Sequence, residues 1–145
     1  MAKLPEHVVE PLERFVGGAD PGTLSRPNTE GWSVRDILVH LSDAELIRAT
    51  RIRMILAAEE PLIVPFDEEM FKRRLPSLWR SPEGAIALFA QLRFTTLGIL
   101  RQLDMKSWEK AGILPDGERL TVGELIIRGA NHSTDHAGQI RQMRG

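Results

Sequence analysis

The amino-acid sequence predicts an all-α protein, a bundle of four helices with a long connection between the second and the third. Three observations carry that reading. Apolar residues recur at three- and four-residue spacing in four separate segments. Capping residues, prolines and glycines stand where such segments would start and stop. No stretch alternates apolar and polar residues convincingly enough to suggest a sheet. The 145 residues suit a single domain, residues 1–145, and can bury a core without disulfides or a structural metal.

The first helix is expected over residues 5–16, where Val8, Val9, Leu12, Phe15 and Val16 form a stripe and Gly17-Gly18 stops it. Pro11 should kink it. Residues 19–32 hold two prolines and two glycines and read as an ordered loop, anchored by Leu24 and Trp32. The second helix starts at the N-cap Ser33, with Asp36 three residues on, and runs to about Ala58 before Pro61. Its stripe is Ile37, His40, Leu41, Ala44, Ile47, Thr50, Arg51 and Met54. Residues 61–65 should be extended, because a residue before proline avoids helical geometry, and a short helical piece follows within 66–74. Ser81-Pro82-Glu83 opens the third helix, whose face is Ala85, Ile86, Phe89, Leu92, Thr96, Leu97, Ile99, Leu100 and Leu103. Residues 104–120 form a connection in which Pro115-Asp116-Gly117 can turn a small hairpin. Thr121 and Glu124 make a capping box for the last helix, with Leu125, Gly129, His132, His136, Ile140 and Met143 on one side. The second and third helices are separated by roughly 20 residues, a length that marks a crossover or a functional loop.

Lys+Arg number 19 and Asp+Glu 20, so the net charge is -1, which argues against a nucleic-acid binder that works by charge. There is no cysteine, which excludes a disulfide framework, a cysteine nucleophile and a redox dithiol in this chain. The segment MAKLPEHVVEPLERF carries too many charges for a signal peptide, and no run is apolar enough for a membrane helix. The expected compartment is the cytoplasm.

Metal-ligand chemistry is left to four histidines and the carboxylates. His132 and His136 lie one turn apart on the last helix, where two imidazoles can share one ion. His40 lies on the apolar stripe of the second helix. If those helices are neighbours, three imidazoles converge with no obvious acidic partner, an arrangement that resists protonation and that a divalent cation relieves. Three protein ligands leave a position for water or substrate. A zinc-protease reading fails, because Ser133 stands where the general-base glutamate would be. His7, near the N-terminus, reads as a surface residue.

Two segments carry a resemblance. GWSVRDILVHLSDAE (Gly31 to Glu45) and NHSTDHAGQIRQM (Asn131 to Met143) resemble the DinB-like superfamily, as does Phe66-Asp67-Glu68-Glu69 in the long connection. The resemblance implies a four-helix bundle with a metal bound by three histidines. These map to His40, His132 and His136, with Trp32 and Gly138-Gln139-Ile140 on the flanking positions. It implies nickel or zinc as the ion and a homodimer as the assembly. It also implies a low-molecular-weight thiol, such as mycothiol or bacillithiol, as cosubstrate for S-transfer or isomerisation, while other members are known only as damage- or stress-induced proteins.

Asp43 and Asp135 each follow a histidine by three residues and are candidates to support the ligands or accept a proton, against the plainer reading of solvated helix acids. Arg51 could face a pocket mouth, though a salt-bridged surface is the plainer reading, and Lys72-Arg73-Arg74 reads as a solvated turn. Trp32 reads as a core anchor rather than a substrate platform. The function expected is a metal-dependent transferase or hydrolase that activates a small thiol or water toward a small-molecule substrate. The alternative is a non-catalytic, metal-stabilised dimer that binds a ligand or acts in stress response. A DNA-associated protein is the weakest reading.

Overall fold

The structure, a computed structural model, describes residues 21–144. The helix expected over residues 5–16, and His7 with it, lie outside the described residues. Among the described residues three long helices dominate: α2 (Val34–Ala57), α4 (Pro82–Leu100) and α6 (Val122–Arg144). Short elements connect them: α1 (Pro21–Ser25), α3 (Glu68–Arg74), a 3-10 turn (Ser77–Trp79), α5 (Met105–Trp108) and a hairpin of β1 (Ala111–Ile113) and β2 (Arg119–Thr121). The stretch 19–32, expected to be a loop, thus contains a helical turn, which lets Leu24 reach the core.

The caps are those the sequence signalled. Ser33 Oγ accepts from the Asp36 N–H at 3.0 Å, and Asp36 Oδ2 accepts from the Ser33 N–H at 2.9 Å, a reciprocal capping box. Ser81 caps α4 with Pro82 in its first turn, and Thr121 Oγ1 accepts from the Glu124 N–H at the start of α6. The hairpin around Pro115-Asp116-Gly117 is antiparallel, pairing Ala111 with Thr121.

Helix directions explain the long connection. Arg35 Nη1 donates to the Arg80 carbonyl and Arg53 Nη1 to Thr96 Oγ1, so α2 and α4 are parallel neighbours. His40 meets His132 and His136, while Asn28 meets Met143, so α6 runs antiparallel to α2. A helix as long as α2 rises about 36 Å, at about 1.5 Å per residue, and the chain must retrace that length before α4 can start beside it. Residues 58–81 make that return. Their extended part is pinned to the hairpin: the Ile63 N–H donates to the Ile113 carbonyl and the Ile113 N–H to the Pro61 carbonyl, both at 2.8 Å.

Two apolar cores fill the ends of the bundle. One gathers Leu24, Ile37, Leu41, Ile86, Phe89 and Ile140; the other gathers Ile52, Ile55, Ile63, Leu100, Val122 and Leu125. Between them α2 turns in Glu45 and α4 turns in Arg93. The expected stripe of α2 therefore needs correcting. Thr50 and Met54 are exposed, and every residue from Ile37 to Glu45 is buried. The half of α2 that carries His40 is enclosed on all sides, whereas its C-terminal half buries only one face. No helix among the described residues is long and apolar enough to cross a membrane.

Gly112 is where the returning segment touches the hairpin. A Cβ there would lie 2.6 Å from Ile63 side-chain carbons and 3.1 Å from the Pro61 carbonyl oxygen. Gly112→Ala is expected to destabilise the fold by about 1–3 kcal/mol, the usual cost of overpacking, measured by urea denaturation. An unchanged midpoint would show that the contact yields freely.

Candidate metal centre

His40 sits two turns into α2, where the capping box and the surrounding core fix its helix, and its side chain is 5% exposed. His132 and His136 project from α6 one turn apart, as their spacing requires. The three Nε2 atoms meet: His40 to His132 is 2.8 Å and His136 to His132 is 3.0 Å. Each pair of rings is steeply inclined, at 70° to 86°, with centroids 4.4–4.9 Å apart. The imidazoles present nitrogen edges to a common point instead of stacking.

Hydrogen bonding alone does not satisfy this triangle. Gln139 Oε1 accepts from His136 Nδ1 at 3.0 Å in the assigned amide orientation, which places the proton of that neutral ring on Nδ1 and leaves Nε2 a bare lone pair. His132 Nε2 has one lone pair or one proton, and two imidazole nitrogens face it. A cation at the common point resolves the conflict. The two spacings that meet at His132 are a few tenths of an ångström inside the ~3.3 Å edge of a tetrahedral site with ~2.0–2.1 Å zinc–nitrogen bonds, and all three donor atoms lie within 4.8 Å of one another.

The returning segment roofs the site. Phe66 stacks parallel to His40 with centroids 6.0 Å apart, Phe71 packs edge-on against Phe66, and Trp32 meets His40 edge-on at 5.6 Å. Trp32 also packs against the apolar core, so it anchors the helix entry and walls the site together. Lys72 lies over the Trp32 ring at 5.0 Å. The basic run 72–74 forms the last turn of α3, with Arg73 and Arg74 exposed as expected and Lys72 half-buried. Glu68, at the start of α3, brings Oε2 to 3.3 Å from His40 Nε2. It supplies the acidic neighbour that spacing alone did not reveal. The space left beside His40, lined by Trp32, Asp43, Glu68, Phe71 and Lys72, is about 10 Å³, room for about one water. A wider groove of about 360 Å³ adjoins it along α3, past Asp36, Lys72 and Ser77.

The other candidate residues separate. Asp43 is buried, and both its oxygens are taken by the Arg80 guanidinium at 2.5 and 2.6 Å, so the solvated-acid reading does not hold for it. The pair ties the end of the returning segment to the His40 helix, and it holds the Arg80 guanidinium above its usual range. Asp135 is exposed, as a solvated helix acid would be. Among the described residues Arg51 forms no ion pair; it donates to the Val64 carbonyl at 2.6 Å and holds the returning segment.

Burial pushes the His40 imidazole down to about 4, with His136 and Arg48 adding to the effect and Asp43 opposing it. Burial likewise pushes His132 down to about 3, helped by His136, His40, Arg48 and Arg93. Both rings are neutral at pH 7, the state a ligand needs. The unfolded chain takes up these protons near 6.5 and the folded chain does so only near 3 to 4. The unfolded state therefore binds more protons across that window, and folding stability falls as pH drops through it. For metal-free protein the urea midpoint should decline steadily from pH 6.5 to 4. His132→Ala should flatten part of that slope; an identical slope in this variant would count against the burial argument.

A family model for the DinB superfamily matches residues 7–140. A Bacillus subtilis protein named "Putative metal-dependent hydrolase YfiT" is 27% identical over 140 residues, which span 95% of this chain and 79% of that one. A Bacillus licheniformis protein, also named a metal-dependent hydrolase with the same qualifier, is 29% identical over 117 residues, 80% of this chain and 66% of that one. The solved structure of Bacillus subtilis YfiT superposes with a TM-score of 0.83 at 23% identity, covering 99% of this chain and 89% of that chain, and is described as having an unusual four-helix bundle topology. The architecture agrees with the family match, and the chain belongs to the DinB superfamily, with its four-helix-bundle fold.

Proposed function

We propose that the protein is a metal-dependent hydrolase whose divalent ion is held by His40, His132 and His136. The observation that carries this is the approach of His40 Nε2 and His136 Nε2 to His132 Nε2 at 2.8 and 3.0 Å, with the three donor atoms all within 4.8 Å of one another and burial keeping His40 and His132 neutral. When bound, a divalent ion supplies Lewis-acid activation of a nucleophile. Imidazole donors suit zinc and nickel, and metal supply selects between them.

The chain's own residues do the rest. Gln139 sets the tautomer and orientation of His136. Phe66 and Trp32 exclude bulk water from the imidazole faces. Glu68 Oε2, at the edge of the triangle and open to solvent, is the carboxylate placed to take a proton from the nucleophile. The room beside His40 fits a water better than a larger nucleophile, which favours hydrolysis. The names of the relatives support the same class.

A second reading, transfer of a low-molecular-weight thiol, is favoured by the roof itself. Helix α3 contains no buried residue, so it can lift to admit a larger cosubstrate along the adjoining groove. With no cysteine in the chain, any such thiol comes from a small molecule.

His40→Ala, His132→Ala and His136→Ala should each lower metal content sharply after dialysis against trace zinc or nickel, read by elemental analysis. Gln139→Met should weaken metal affinity by about 10–100-fold, the usual cost of losing a partner that orients a ligand. Full occupancy in His40→Ala would remove the proposed ligand set.

Chelation tests whether the ion is catalytic or structural. A bundle with two apolar cores should keep its helical circular dichroism without metal and lose only melting temperature. Loss of helicity on chelation would favour the non-catalytic, metal-stabilised reading. The loaded protein should then be assayed against a panel of small esters and amides, with and without added thiols, to separate hydrolysis from thiol transfer.

A further inference from the structure

We propose that the cavity between α2, α4 and α6, one helical turn beyond His132 and lined by none of the three histidines, binds a short-chain monocarboxylate. The inference does not depend on the metal reading. Its polar end holds two guanidiniums and one carboxylate. Glu45 Oε2 accepts from Arg93 Nε at 2.7 Å and from Arg48 Nη1 at 3.2 Å. The three side chains are 3%, 7% and 14% exposed for Glu45, Arg93 and Arg48. Among the described residues lining the cavity, Glu45 is the single acid, so one positive charge is left without a counter-charge.

That charge cannot leave by deprotonation, since guanidinium stays ionised in proteins. Burial pulls Arg48 below its usual range and the neighbouring Arg93 adds to the pull, while Glu45 opposes both. Arg93 is anchored elsewhere as well: its Nη2 donates to the Gly129 carbonyl at 3.0 Å and to Ser133 Oγ at 2.5 Å. Arg48 is the less committed of the two: among the described residues its ion-pair partner is Glu45, and its stem lies against Gly129, where a Cβ would come within 2.8 Å. A monoanion beside Arg48 would complete a neutral set of two cations and two anions.

Away from the charges the walls are Leu97, Leu100, Trp108 and Ile126. The cavity measures about 60 Å³. At about 10–15 Å³ for each water, that is room for about four to six waters, or a ligand with a similar number of heavy atoms. A carboxylate of two to four carbons in all, with four to six heavy atoms, matches the charge, the apolar walls and the size together. A longer acid does not fit, and a neutral amide leaves the charge unmet.

The experiment is calorimetric titration of chelated, metal-free protein with acetate, butyrate, octanoate and butyramide in low-salt buffer. Butyrate should bind one to one, with butyramide and octanoate each about tenfold weaker or more. Arg48→Met leaves Glu45 and Arg93 as a balanced pair, so it should stay folded by circular dichroism and lose about tenfold or more in butyrate affinity. Ala130→Phe should fill the cavity, keep both guanidiniums and abolish binding. His40→Ala should bind butyrate as the wild type does, which separates this site from the metal centre. Absence of saturable butyrate binding would overturn the proposal. So would equal affinity in Arg48→Met, or octanoate binding as tightly as butyrate.

Discussion

Two neighbouring helices that run the same way constrain everything else in this molecule. An antiparallel pair could be joined by a tight turn. The parallel pair α2 and α4 requires a return across the length of the bundle, and that return passes over His40. The segment has few buried side chains of its own, so it is held by contacts along its course. Ile63 is seated on the hairpin, Arg51 holds the Val64 carbonyl, Ser77 Oγ donates to Asp36 Oδ1, and Asp43 grips Arg80. Between these ties lie Phe66, Glu68 and Phe71, the stretch that roofs the imidazoles. The ties bracket the roof without fixing α3 itself, which remains the least buried helix beside the site.

The bundle tolerates a polar middle because its ends are apolar. The two core clusters lie on either side of the level where Glu45, Arg48, Arg93 and Ser133 meet. Burying such groups is costly unless their hydrogen bonds are complete, and Arg93 meets that condition by reaching Glu45, the Gly129 carbonyl and Ser133 at once. Those contacts fix α6 on both sides of His132. The histidines thus inherit their register from a layer of charges one turn away. The same charges help to keep His132 unprotonated.

Much of this was legible in the sequence. The caps at Ser33, Ser81 and Thr121, the hairpin at Pro115-Asp116-Gly117 and the extended segment before Pro65 follow from short-range patterns that the structure repeats, whereas the convergence of His40 with His132 and His136 was legible only on the condition, met here, that α2 and α6 are neighbours. The placement of Asp43, Glu68 and Arg93 was less legible, for one shared reason. Each acquires its role from a partner distant in sequence: Arg80 for Asp43, His40 for Glu68, and Glu45 with Ser133 for Arg93. Helical periodicity reports which face a residue occupies, and says nothing of which neighbour arrives there. Arg93 did leave a trace, as a charged residue three or four positions from Phe89, Thr96 and Leu97 on an otherwise apolar face.

The residues that break the local rules of a helical bundle are grouped along its middle. His40, Asp43 and Glu45 stand in a stretch of α2 that is buried on every side, and Arg93 and Ser133 face them from α4 and α6. A bundle selected for stability alone would fill these positions with leucine or alanine, since replacing buried ion pairs by apolar side chains is often neutral or stabilising. Their grouping, and their coincidence with both the three-histidine cluster and the neighbouring cavity, argues that the middle of the bundle is shaped by binding. The apolar ends supply the folding energy that lets it remain so.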